Sequence, residues 1–176
     1  MPRVFVAAGS NVEPEHHLAR AARLLEEEFG EVRCSPWYRN RAVGFEGEDF
    51  INFVVGFDTE LPVTEVVTRL RAIETACGRP RDAPKWAPRT IDLDILLYGE
   101  LVSAASPTLP RPDLLRRAYM LGPLADIAPE VMHPTAGLTI GELWSQFDRA
   151  AHPLERVPAA LTSPRSARHR SPGSGR

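Results

Sequence analysis

Apolar and polar residues recur along this chain in two periods, and the switches between them mark its elements. Val4 to Ala8 is a short apolar run ending at Gly9-Ser10-Asn11, which predicts a buried strand followed by a turn. Pro14 and Glu15 open a stretch in which Leu18, Ala22, Leu25 and Phe29 recur at helical spacing, and Gly30 is placed to end it. Val32 to Tyr38 reads as a second strand, confined to an edge by Pro36. Phe50 to Phe57 alternates, with Ile51, Phe53, Val55 and Phe57 on one face and Phe50, Asn52 and Val54 on the other. Pro62 sits at the first turn of a second helix with the stripe Val63, Val66, Leu70, Ile73 and Cys77, ended by Gly78. From Thr90, alternation returns: Ile91, Leu93, Ile95 and Leu97 point one way, and Thr90, Asp92, Asp94, Leu96 and Tyr98 the other. The order strand, helix, strand, strand, helix, strand predicts an α+β fold, a ferredoxin-like βαββαβ sandwich whose mainly antiparallel sheet is covered by helices.

Beyond Gly99, Leu101 and Val102 predict a small extra strand, and Pro107 to Pro112 a proline-rich loop carrying Arg111. Ala118 to Ile127 predicts a short helix stopped before Pro129. Thr139 and Glu142 have capping-box spacing and open a helix with Leu143, Trp144 and Phe147. These form a C-terminal helical extension. The expected organisation is a single domain over residues 1–157 and a disordered Pro/Ser/Arg-rich tail over 158–176, either merely solvated or in touch with nucleic acid. Residues 39–49 form a long loop, the kind that is mobile or binds a ligand.

Composition narrows the function. Hydrophobic residues make up 43% and the net charge is −2, so the chain as a whole is not built to hold nucleic acid. No apolar run approaches the roughly 20 residues of a membrane helix. The N-terminal apolar run is too short for a signal peptide, and Cys34 and Cys77 form neither a disulfide framework nor a zinc site. The expectation is a cytoplasmic monomer acting on small molecules, without nucleic acid or membrane. Lys85 is the only lysine among 21 basic residues, a bias that either heat adaptation or a GC-rich genome accounts for.

The chemistry concentrates between Arg79 and Gly99. Asp92 and Asp94 stand on one face of a strand with Cα atoms about 7 Å apart. They repel unless a cation lies between them. Mg²⁺ takes such oxygen ligands and completes its shell with water and phosphate oxygens. Two such ions lie roughly 3.5–4 Å apart in displacement at phosphorus. Just upstream, Arg79, Arg81, Lys85 and Arg89 are interleaved with Pro80, Pro84, Pro88 and Trp86, a stiff cationic loop suited to phosphate oxygens. A solvated basic loop beside two surface aspartates is the blander alternative. Phe50 and Asn52 together offer an apolar surface beside an amide, which suits a planar heterocycle stacked and read at its edge, or is a partly exposed strand with an incidental Asn. There is no P-loop, no dinucleotide fingerprint, no nucleophile elbow and no zinc-spaced histidine set.

The stretch Pro88 to Gly99 (PRTIDLDILLYG), with Gly9-Ser10-Asn11, Tyr38-Arg39, Asp49-Phe50-Ile51-Asn52 and Arg117-Ala118-Tyr119-Met120-Leu121, resembles the 6-hydroxymethyl-7,8-dihydropterin pyrophosphokinase family of folate biosynthesis. The resemblance runs from Val4 to about Phe147. It implies transfer of pyrophosphate from ATP to the pterin hydroxymethyl, releasing AMP. It implies that Asp92 and Asp94 hold two Mg²⁺ ions and that Arg79 and Arg89 neutralise the phosphates. Arg81, Trp86, Arg111 and Arg117 would support the nucleotide, with Glu74 and Ile95 near the adenosine. Phe50 and Tyr119 would sandwich the pterin and Asn52 would read its edge. The loop from Asn40 to Glu48 would close over it, with Asn40 and Val43 near the ring.

Two departures stand out: Arg111, followed by Pro112, stands where the family commonly has a histidine, and Arg41-Ala42 stand where it has two prolines. Two rivals are a metal-dependent glycosyltransferase, which normally needs a larger nucleotide-sugar domain, and an RNA-binding module on the same kind of sheet. The second requires aromatics within a basic face on a central strand, whereas the strand expected there carries Asp92 and Asp94.

Overall fold

The computed structural model describes residues 1–41, 47–78 and 90–158. Its centre is an antiparallel pair, β1 (Arg3–Ser10) and β4 (Phe50–Asp58), matched from Arg3 opposite Asp58 to Ser10 opposite Ile51. Both are buried almost throughout. Strands with apolar residues on both faces must be covered on both, and that need organises the remaining elements.

One layer is α1 (Pro14–Phe29) and α2 (Val63–Ala76). Leu18, Ala21 and Leu25 of α1 and Val66, Leu70 and Ile73 of α2 pack on Val4, Val6, Ala8, Phe53, Val55 and Phe57. Each fully buried leucine here is worth about 1.5–3 kcal/mol. The second layer is α3 (Ala118–Ile127) and α4 (Ile140–Gln146). Met120, Leu121, Leu124 and Ile127 of α3 and Ile140 of α4 cover Phe5, Ala7 and Val54. The capping box forms as expected: the Thr139 hydroxyl accepts from the Glu142 amide and the Glu142 carboxylate from the Thr139 amide.

The strand order is β5-β1-β4-β3-β6, where β3 is Tyr38–Asn40, β5 is Asp92–Tyr98 and β6 is Glu155–Arg156, with the two-residue β2 (Arg33–Cys34) also on β4. Every pair among these strands is antiparallel. This is the expected ferredoxin-like sandwich with its helical extension.

Four expectations are corrected. The strand Val32–Tyr38 is two strands, because Pro36 has no N–H to give the ladder, and the second runs on through Asn40 into the expected loop of residues 39–49. Ser35 bridges the break: its amide donates to the Val54 carbonyl at 2.8 Å, and its hydroxyl accepts from the Val54 amide at 2.9 Å. Leu97 does not share a face with Leu93 and Ile95. Phe5 is opposite Leu97 while Val6 is opposite Ile95, so Leu96 is the extra residue of a bulge. The bulge reverses the phase, leaving Leu96 and Leu97 in the second layer and Tyr98 against the first. Leu101 and Val102 are exposed and form no strand; the pairing nearby is a single bridge between Ser103 and Leu109. Finally, the aspartate strand lies at the end of the strand order, not in its centre, because β5 returns from α2 to the side of β1 that β4 leaves open.

Candidate active site

Residues opposite each other in an antiparallel pair project from the same face. Asp92 is opposite Gly9, Gly9 is opposite Asn52, and Asn52 is opposite Tyr38. These residues form one row across four strands, with Asp92 and Asn52 about 10 Å apart, two strand spacings. The face is the one that α3 covers at Phe5, Ala7 and Val54. The row lies one residue pair beyond that cover, with Tyr119 in the first turn of α3 packed at its margin. The chain therefore builds a shelf at the end of its second layer. The aspartates lie at one side and the amide and aromatics at the other.

The amide side is fixed by local contacts. The Asn52 Nδ2 donates to the Asn40 Oδ1, and the Asn40 Nδ2 donates to the Arg41 carbonyl at 2.9 Å. Asn40 is opposite Phe50, so the strand pair itself brings these residues together. A Cβ on Gly9 would stand 2.6 Å from the Asn52 Oδ1 and 3.8 Å from the Phe50 ring. The bare backbone of Gly9 therefore leaves room for the buried amide. Asn11 reaches across to the Glu48 carbonyl at 3.5 Å, linking the turn after β1 to the end of the long loop. Tyr38 donates its hydroxyl to Asp126 of α3. Burial, then this bond, pushes that hydroxyl up to about 12. Burial also raises the Tyr119 hydroxyl, against the opposing pull of Arg117; Tyr119 is a neutral phenol near pH 7.

On the aspartate side, the Asp94 side chain is 25% exposed, and Arg111 and Arg71 both approach its Oδ1, at 3.6 Å and 4.0 Å. Arg111 is placed by the bulge: its amide donates to the Leu96 carbonyl at 3.0 Å. Its guanidinium also lies 3.7 Å from Asp113, and its Nε is buried without a hydrogen-bond partner among the described residues. Arg117 caps the N-terminus of α3 through its carbonyl, which accepts from the Met120 and Leu121 amides. Between α2, β5 and the 106–111 loop lies a cavity of about 170 Å³ lined by Arg71, Asp94, Ile95, Pro107 and Arg111, among others.

The structure thus gathers Asn40, Phe50, Asn52, Asp92, Asp94, Ile95, Arg111 and Tyr119 around one shelf and its adjoining cavity. Glu74 is 2% exposed, and its carboxylate is held by Arg71 one turn back on α2. Val43, Arg79, Arg81, Trp86 and Arg89 lie outside the described residues. Sequence reasoning passed over Gly9 as a site residue and missed Arg71 altogether. A signal for Arg71 existed: Glu74 falls between Ile73 and Cys77 on the apolar stripe, and a buried acid requires a cation within reach.

A protein-family model described as 7,8-dihydro-6-hydroxymethylpterin-pyrophosphokinase (HPPK) matches residues 5–129. The chain belongs to the HPPK family. It is 43% identical over 120 residues to the 2-amino-4-hydroxy-6-hydroxymethyldihydropteridine pyrophosphokinase of Synechocystis sp., a match covering 68% of this chain and 61% of that one. The Pseudomonas aeruginosa protein of the same name is 39% identical over 163 residues, covering 90% of this chain and 98% of its own. Among solved structures, an HPPK-DHPS in complex with substrates aligns over 85% of this chain and 44% of its own, with a TM-score of 0.66 at 14% identity. A Plasmodium falciparum HPPK-DHPS with pteroate aligns with the same score over 82% of this chain. At that identity the structural likeness speaks for the fold, which is the one derived above.

Proposed function

We propose that this HPPK-family chain transfers the terminal pyrophosphoryl group of ATP to the hydroxymethyl oxygen of 6-hydroxymethyl-7,8-dihydropterin, giving the pterin diphosphate and AMP. The observation that carries the reading is the row Asp92, Gly9, Asn52. It sets an amide suited to reading a heterocycle's edge on the same shelf as a pair of carboxylates suited to a metal-bound polyphosphate.

The residues divide the work. Asn52 turns its amide to the ring's edge while Asn40 fixes that amide's orientation. Phe50 and Tyr119 supply the apolar faces that stack on the ring. Arg111 and Arg117, together with Arg79, Arg81 and Arg89, neutralise phosphate oxygens, and Trp86 and Ile95 border the nucleotide. Glu74 serves the adenosine side through Arg71. Val43 belongs to the loop that closes over the pterin.

Asp92 and Asp94 are two hard oxygen donors, and among the described residues no third His, Cys, Asp or Glu joins them. That donor set fits Mg²⁺ arriving with a polyphosphate, which completes the coordination, better than a metal caged by protein alone. When bound, two Mg²⁺ ions would neutralise the phosphates and align them for in-line attack. For such a transfer, alignment and charge neutralisation matter more than a protein nucleophile. We take the protein to act in the cytoplasm as a monomer. No helix among the described residues is long and apolar enough to cross a membrane, and the large exposed apolar side chains there are few: Met1, Leu101, Val102, Leu115 and Met132.

Incubation with ATP, Mg²⁺ and the pterin tests the reading. AMP is the expected product; formation of ADP, or no pterin-dependent turnover, sinks it.

A further inference from the structure

Arg71 is bound at three points, and only two of them are structural. Glu74 lies on the core side of α2 and is 2% exposed, so its carboxylate is stable there only with a cation beside it. Arg71, three residues earlier, supplies that cation. Its Nη1 also donates to the Leu93 carbonyl of β5 at 3.3 Å. These contacts pin the guanidinium between helix and strand. Its Nη2 then lies 4.0 Å from the Asp94 Oδ1, which Arg111 approaches from the far loop at 3.6 Å. One carboxylate oxygen therefore stands between two guanidiniums brought by different elements. The other arginine of the same helix, Arg69, is instead paired with Glu28 and Glu65, away from the site.

We propose that Arg71 is a positioning residue that keeps Asp94 charge-compensated in the nucleotide-free protein, so that a divalent cation binds there weakly until a polyphosphate accompanies it. The inference rests on the reading of Asp94 as a metal ligand. A bare cation approaching Asp94 meets two positive charges within a few ångström, and each lowers its affinity by about tenfold at a partly exposed site. A nucleotide reverses the balance, because its phosphates attract the arginines and the metal alike. Metal alone is thereby kept from occupying the carboxylates in an arrangement that would exclude the substrate phosphates.

The test is Mn²⁺ binding to the full chain without nucleotide, followed by electron paramagnetic resonance of free Mn²⁺. Arg71→Gln, which keeps an N–H for Glu74 but removes the charge, should bind Mn²⁺ about tenfold more tightly than wild type. Arg71→Lys should return the affinity most of the way, and Arg69→Gln should leave it unchanged. Because Arg71→Gln leaves the buried Glu74 without its cation, Arg71→Gln with Glu74→Gln serves as the second variant, with a several-fold gain expected. Unchanged Mn²⁺ affinity in both Arg71→Gln and the Arg71→Gln, Glu74→Gln double variant overturns the inference. So does a gain that survives the addition of Asp94→Asn, since the new affinity would then arise elsewhere. AMP formation is measured separately: its absence with the Mn²⁺ effects present would fail the pyrophosphoryl-transfer reading alone.

Discussion

Gly9 and Asn52 face each other across β1 and β4, and a Cβ on Gly9 would stand 2.6 Å from the Asn52 Oδ1. The contact is too close for any side chain, and the amide it meets is buried and bonded to Asn40. Gly9→Ala must therefore turn Asn52 away or spread the central strands. The expected stability cost is about 1–3 kcal/mol, as for other overpacked sites. Pterin affinity should fall by on the order of tenfold, about one lost hydrogen bond. Pterin fluorescence and nucleotide titrations together check this: nucleotide affinity should stay within about twofold.

The aspartates give a sharper division between binding and chemistry. Asp92→Ala and Asp94→Ala each remove a proposed metal ligand and should lower turnover on the order of thousands-fold, several kcal/mol of transition-state stabilisation. Pterin binding without nucleotide should survive, because the amide and aromatics lie on the other side of Gly9. A variant within tenfold of wild-type turnover would show that the aspartates are not ligands.

Arg111 tests the proposed nucleotide contact at the position where the resemblance leads one to expect a histidine. Pro112 does not turn this side chain into solvent: it is 32% exposed and lies against Asp94 and Asp113. Arginine keeps its charge at any working pH, whereas histidine loses it near neutrality. Arg111→Ala should weaken ATP binding by about ten- to a hundredfold, the worth of a charge-assisted hydrogen bond, and leave pterin binding alone. Arg111→His should restore affinity at pH 6 and less of it at pH 8.5. Equal ATP affinity in Arg111→Ala and wild type would remove the residue from the nucleotide site.

Much of this arrangement was legible in the sequence, and the misses have physical causes. The helices α1 and α2 were readable because one-sided burial imposes a helical period, and β1 and β4 because two-sided burial leaves a short, nearly continuous apolar run bounded by turn residues. The Asp92/Asp94 pair was readable because apolar neighbours mark its strand. The phase change at Leu96 was not, because a bulge depends on the partner strand rather than on local composition. Strand β6 is two exposed, charged residues and carries no pattern; it exists because the Val157 amide donates to the Trp37 carbonyl at 2.8 Å and Val157 is buried in the first layer. The need for Gly9 is likewise a cross-strand fact. Only the register shows which side chain its Cβ would meet.

The same strand makes the expected domain boundary testable. Ending the chain after Pro158 keeps Val157 and β6, and the melting temperature should be unchanged. Ending it before Glu155 strips Val157 from beside Trp37 and should cost about 1–3 kcal/mol. Differential scanning calorimetry of the two truncations decides between them: a drop in the longer one would give residues 159–176 a share in the core.

The last expectation concerns pH. His133 is 2% exposed, and its Nδ1 accepts from the Thr135 and Ala136 amides at 3.2 Å and 3.0 Å. An Nδ1 that accepts twice places the proton of the neutral ring on Nε2, which is buried without a hydrogen-bond partner among the described residues. Protonation would set an N–H against two N–H donors and place a charge in the interior. Burial accordingly lowers the His133 pKa from its ordinary 6.5. Between that lowered value and 6.5 the unfolded chain binds more protons than the folded one, so stability rises with pH across the window. The contribution is complete above pH 6.5 and is lost as pH falls toward the folded value. The loop that His133 organises carries the Thr139 cap of α4, so the second layer should loosen first. His133→Ala should cost about 1–3 kcal/mol at pH 7.5 by removing the two part-buried hydrogen bonds that its Nδ1 accepts, each worth roughly 0.5–1.5 kcal/mol. It should also flatten the fall in stability between pH 6.5 and 5. Urea unfolding of wild type and variant across that range is the measurement, and parallel slopes in the two proteins would assign the acid sensitivity to other groups.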